Sequence, residues 1–318
     1  MESTATSRSV SRAGFTLIEI LFAIAVVGIL IGLLVVGLTV GRRAAGRNAG
    51  ESTAAAMKLS ATQFTSDFGF AIPLVKDYDL VKAQSGERKF PVYVPAPLDS
   101  SDARILRHEE SDPSWPGKPA DVPAEYWDLR YSLASLPFYL VGVDETPLIT
   151  GGKLPVDGVS GPGILRPNED GTFQVPENAK KPNATVKRSG QAFGPYLDTG
   201  RSGAKVVRAG TKGERYEIRD AKENPYRYYR WLQGVKKGTK YVVEKPADMN
   251  VPKVVGDPEK DPSLRGATAA IVWCGPDGLY GDESLKVIFE KLNLPDGTLD
   301  ATAREKAISD NVVQVVGP

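Results

Sequence analysis

Arg12-Ala13-Gly14-Phe15-Thr16-Leu17-Ile18-Glu19-Ile20-Leu21-Phe22 opens the stretch that decides how this chain is built. From Phe15 to Gly41 the only charged side chain is Glu19, and no proline interrupts the run. A bilayer crossing takes about 20 apolar residues, whereas the hydrophobic part of a secretory signal takes about 7 to 15. The stretch is long enough to span a membrane and too long for an ordinary signal peptide. Glu19 separates it from a plain anchor, because a carboxylate in hydrocarbon costs roughly 3 kcal/mol or more and persists where a partner meets it. Gly28-x-x-x-Gly32 and Gly37-x-x-x-Gly41 are small-residue spacings that let helices approach closely, although glycine is common in membrane helices in any case.

Working outward, Glu51 to Phe68 is alanine-rich, with Ala54, Met57, Ala61, Phe64 and Phe68 at spacings of three and four. That period predicts an amphipathic helix with one buried stripe. It makes residues 42–70 a second, packed half of the helix begun by the span at 15–41. Gly46, Asn48 and Gly50 are the expected points of interruption. Beyond, 71–318 reads as a globular head.

Within the head, residues 90–182 carry Pro91, Pro95, Pro97, Pro113, Pro116, Pro119 and Pro123, which break long elements and predict an elaborated loop insertion. Tyr126–Tyr131 and Leu136–Val141 are the expected short strands or core plugs inside it. Asn224-Pro225 reads as a turn, and the alternation after it as a half-buried strand. Lys240–Glu244 and Thr268–Trp273 are the expected antiparallel continuations of that strand, giving a sheet region over 215–285.

Composition removes several classes of function. The chain has one cysteine and one histidine, so it holds neither an internal disulfide nor a His-rich metal or catalytic centre. Cys274 lies in an apolar run and reads as a buried, inert thiol. A net charge of +1 gives no general electrostatic reason to bind nucleic acid. There is no Gly-x-Ser-x-Gly, no His-Glu-x-x-His and no phosphate-cradling Gly-x-x-x-x-Gly-Lys.

The octet Arg12–Glu19, preceded by a short polar leader with Arg8, resembles the type IV prepilin signature. In type IV pilins and the pseudopilins of type II secretion, prepilin peptidase cuts after the glycine and N-methylates the new first residue. By that resemblance 1–14 is a leader, Gly14 and Phe15 flank the cut, and Glu19 pairs with the terminal amine of a neighbouring subunit. The chemistry is coherent, since cleavage creates the cation that a low-dielectric carboxylate needs. Two positions depart from the family: Ala13 stands where a basic residue is commoner, and Val36 where many pilins have a kinking proline. Arg42, Arg43 and Arg47 after the span outnumber Arg8 and Arg12 before it, which by loop charge favours a cytoplasmic C-terminus. The resemblance implies the reverse, with the leader cytoplasmic.

Asp220-Ala-Lys-Glu-Asn224-Pro225-Tyr226-Arg227-Tyr228-Tyr229 resembles a segment of the type II major pseudopilins, and Gly275-Pro276-Asp277-Gly278-Leu279-Tyr280-Gly281-Asp282 resembles their closing loop. In that family the loop and a later acidic segment can hold calcium, which makes Asp277 and Asp282, and more distantly Asp310, the matching ligands. Hard cations take several such oxygens. Pro276-Asp277-Gly278 read alone is a turn that needs no metal. Ser284 to Ser309 intervenes where the family's acidic element usually follows at once.

The resemblance implies an α+β fold, a long N-terminal helix on an antiparallel sheet head with a proline-rich insertion. It implies a non-enzymatic subunit of a type II secretion pseudopilus or type IV pilus. The expected site is the bacterial inner membrane, single-pass, with the head periplasmic or in an extracellular filament. Expected partners are prepilin peptidase, other pilin or pseudopilin subunits, an inner-membrane assembly platform and membrane lipid. The competing reading is a membrane-anchored extracytoplasmic enzyme or binding protein.

Overall fold

One helix, α1, runs from Leu17 to Phe68. The computed structural model describes residues 17–75, 93–94, 120–123, 126, 128, 130–142, 157–159, 161–169, 171, 173, 191–209, 215–238, 240–295 and 297–317. Gly14, Phe15, the leader and much of 90–182 lie outside them. The chain divides into two units, Met1–Gly46 and Arg47–Pro318.

In the first unit, α1 contains no proline, and Leu17–Val35 is long and apolar enough to cross a membrane. Its large side chains, among them Leu17, Phe22 and Leu33, are exposed. A Cβ added at Gly28, Gly32, Gly37 or Gly41 would meet nothing within 4 Å.

In the second unit, β1 is Leu74–Val75, β2 Tyr93–Val94, β3 Tyr131–Ser132, β4 Lys205–Ala209, β5 Arg215–Arg219 and β6 Arg227–Arg230. Then come β7 (Val235–Lys237), β8 (Lys240–Val242), β9 (Ala269–Trp273), α2 (Leu285–Leu292), α3 (Asp300–Ile308) and β10 (Val312–Val316). The stripe expected on α1 is the one that is buried: Ala54, Met57, Ala61 and Phe64 are fully covered and Phe68 nearly so. Phe64 centres an aromatic cluster, with ring centroids 4.7 Å from Phe68, 5.7 Å from Tyr139 and 5.8 Å from Tyr196. Full burial of one such ring stabilises the fold by about 1.5 to 3 kcal/mol.

The expected break at Gly46, Asn48 and Gly50 does not occur; α1 passes through all three. Gly50 has a different task. A Cβ there would lie 2.4 Å from the ring of Trp273, so the missing side chain is what lets helix and sheet meet. Tyr226 and Tyr228 fasten the seam, donating to the carbonyls of Gly50 at 3.3 Å and Ile72 at 3.0 Å.

The main sheet is four-stranded and antiparallel, in the order β10-β9-β6-β3. β9 is buried along its whole length, as the apolar run Ala269–Trp273 requires of a strand covered on both faces. The expectation for Lys240–Glu244 fails: β8 pairs with β7 in a separate hairpin, Val235 opposite Val242 and Lys237 opposite Lys240. The local two-strand solution wins because the two strands are near neighbours along the chain.

The region read as an insertion is also more than loop. Tyr131–Ser132 is an edge of the main sheet, and Pro137–Val141 is a buried π-helical turn. Leu136, Tyr139, Leu140 and Ile164 are core residues. Cys274 is buried, as expected.

Candidate functional site

Glu19 lies in the first turn of α1, where the positive end of the helix dipole favours a carboxylate. Gly14 and Phe15 lie outside the described residues. The second candidate region is the loop that leaves β9.

Asp220 prepares the ground for that loop. Buried beside the β9 end, it accepts from the amides of Lys222 at 2.7 Å and Asn224 at 2.8 Å, from the Asn224 side chain at 3.0 Å, and from the Trp273 indole at 3.0 Å. One carboxylate thus shapes the Asn224-Pro225 turn and ties it to β9.

The loop itself turns sharply at Gly275, where φ is +67° and a Cβ would fall 2.6 Å from Asp310. Side-chain oxygens cap its own amides: Asp277 accepts from Leu279 N–H at 2.9 Å, and Glu283 from Tyr280 N–H at 2.8 Å and Gly281 N–H at 2.9 Å. Cations hold the remaining groups. Lys222 donates to the Pro276 carbonyl at 2.8 Å and Lys291 to that of Gly278 at 3.0 Å. Arg304, wholly buried, donates to the carbonyls of Gly281 and Glu283, each at 2.8 Å, and of Asp121 at 3.0 Å.

The three acidic residues singled out as metal ligands part company here. Asp282 is engaged by Arg227 at 2.5 Å and 3.2 Å, and the Arg227 guanidinium lies 3.6 Å from the centre of the Tyr280 ring and 4.4 Å from that of Tyr131. Desolvation of Arg227 works against its charge, but the Asp282 carboxylate together with Tyr131, Tyr229 and Tyr280 outweighs it, and the guanidinium stays firmly protonated. Asp277 and Asp310 do come together. Burial, with the Asp310 carboxylate beside it, pushes Asp277 up from 3.8 to about 7. Burial also raises Asp310, against the lowering influence of its hydrogen bond to Asp277 and the charge of Arg47.

Two buried oxygens at this pair, Asp310 Oδ1 and Asn311 Oδ1, have no hydrogen-bond partner among the described residues. The orphaned Asp310 oxygen, the Asp277 carboxyl beside it and the Asn311 amide oxygen suit a hard cation at Asp277–Asp310, whereas Asp282 is spent on Arg227. Among the described residues no group of three or more His, Cys, Asp or Glu gathers as a metal site. For the nucleophile Cys274, burial pushes the thiol up to about 12, so it is unreactive in the folded state.

Arg227, Lys291 and Arg304 were not foreseen from sequence. Arg227 carried a signal, since an arginine inside a tyrosine-rich strand on a buried face needs a carboxylate partner. Arg304 carried none, because a basic residue in a polar helix usually faces solvent.

A family model for the prokaryotic N-terminal methylation motif matches residues 10–35. Comparison with curated proteins and with solved structures finds no match. The matched segment covers the predicted cut, Glu19 and the start of the apolar helix; it supports a type IV prepilin-like, membrane-anchored chain and implies processing by prepilin peptidase and assembly with other pilin subunits.

Proposed function

We propose that this chain is a non-enzymatic building block of a type II secretion pseudopilus or type IV pilus, cut after Gly14, methylated at Phe15 and polymerised through α1. The observation that carries the reading is the coincidence of the methylation motif at 10–35 with a helix whose apolar side chains at 17–35 are all exposed. Such a surface is stable in lipid or against the helices of neighbouring subunits. Glu19 receives the new amine of a neighbour and sets the register. The head lies on the periplasmic or extracellular side of the bacterial inner membrane, and an inner-membrane platform drives assembly. Asp220–Tyr229 and the 275–282 loop favour the pseudopilin over the pilus subunit. Asp277 and Asp310 are the residues that would hold a calcium ion, which would neutralise the two carboxyls.

Mass spectrometry of the membrane-associated protein tests the reading. An N-methylated Phe15 terminus is expected, and an intact Met1 terminus would overturn it. In the same preparation Glu19→Val should be cut normally yet be missing from filaments; normal incorporation removes the register role.

A further inference from the structure

A divalent cation organises a loop by drawing carbonyl and carboxylate oxygens around one positive charge, typically six to eight of them. In the loop 276–283 several of those oxygens already face positive charge of another kind. The carbonyls of Pro276, Gly278, Gly281 and Glu283 accept from Lys222, Lys291 and Arg304, and the Asp282 carboxylate from Arg227. Lys291 comes from α2 and Arg304 from α3. Both belong to 284–309, the segment that separates the loop from β10 where the resembled family's acidic element usually follows at once.

We propose that α2 and α3 are a built-in cationic clamp, in which Arg304, assisted by Lys291, closes the loop 276–283 in place of a metal ion. Arg304 suits the task because a guanidinium stays charged at all physiological pH and its fork reaches several acceptors at once. Here one Nη serves both Gly281 and Glu283 while the other reaches Asp121. The helices are anchored for it. The Leu285 amide donates to the Asp121 side chain at the start of α2, and Leu279, Ile288, Ala303 and Ala307 form a small apolar cluster of their own beneath the loop. Gly281 leaves room for α3, since a Cβ there would lie 2.5 Å from Ile308. A cation at Asp277–Asp310 is then an addition at the loop's first residues, and the rest of the loop keeps its shape without it.

Hydrogen exchange followed by mass spectrometry on the detergent-solubilised full chain tests this, read at the amides of Leu279, Tyr280 and Gly281. Wild-type protection should be the same in excess EGTA and in millimolar calcium. Arg304→Met should exchange about tenfold faster or more at these amides, without recovery in calcium, because it strands buried carbonyls. Lys291→Met, which removes an exposed contact and leaves the core intact, should show a smaller acceleration confined to the loop. Loss of protection in EGTA by the wild type, restoration of Arg304→Met by calcium, or unchanged exchange in both variants would overturn the clamp. None of these outcomes depends on which filament takes up the chain.

Discussion

The two stretches of α1 share a helix and little else. From Leu17 to Val35 the large apolar side chains are exposed, and a methyl group could be added at any of the five glycines up to Gly46 without touching a neighbour. From Arg47 to Phe68 a single stripe is sealed into the head, and the one glycine on it, Gly50, is pressed against Trp273. The same residue type means opposite things because the surroundings differ: the first stretch leaves its surface for lipid or another subunit, while the second has already used its own.

Three substitutions can break or sharpen that contrast. Phe64→Ala empties the centre of the aromatic cluster and should destabilise the head by about 3–5 kcal/mol in chemical denaturation. A change below 1 kcal/mol would mean that the stripe is not the core. Gly50→Ala forces a methyl group onto the Trp273 ring and should cost about 1–3 kcal/mol, whereas Gly32→Ala should leave head unfolding where it was. Equal effects would erase the distinction between the two stretches.

The smallest effect belongs to Asp277. Its folded pKa is raised from 3.8 to about 7, so the proton stabilises the head at low pH and that contribution is lost as pH rises through about 7. Asp277→Asn is neutral throughout and should flatten the melting temperature across this window. Parallel curves for wild type and variant would remove the carboxyl pair as the cause.

How far these features could be read in advance depended on whether they have a period. The stripe Ala54-Met57-Ala61-Phe64-Phe68 repeats every three or four residues, and the apolar run at β9 admits few alternatives, so both were visible. Lys240–Val242 has a strand's pattern too, but pattern says nothing about partner, and a near hairpin mate in Val235–Lys237 took it from the main sheet. Leu136–Val141 has no period, and its apolar composition alone marked it as a core plug, whereas Ile164 carries no such run and is buried by the walls around it.

At the candidate site, Asp277 and Asp310 could be paired only through a family pattern, since many residues separate them along the chain. Asp282 was assigned with them because a carboxylate's sequence neighbours do not reveal which cation it faces. The cationic groups around the loop arrive from β6, α2, α3 and the turn before β6, and only the folded chain brings them together.

Cys274 gives the head a reporter of its own opening. It is the single cysteine in the chain, buried between the strand that carries Trp273 and the glycine turn that begins the loop. With its thiol pushed up to about 12, an alkylating reagent at neutral pH finds neither access nor a nucleophile while the seam is shut. The rate at which the label goes on therefore measures how often strand and loop part, with no probe to be engineered.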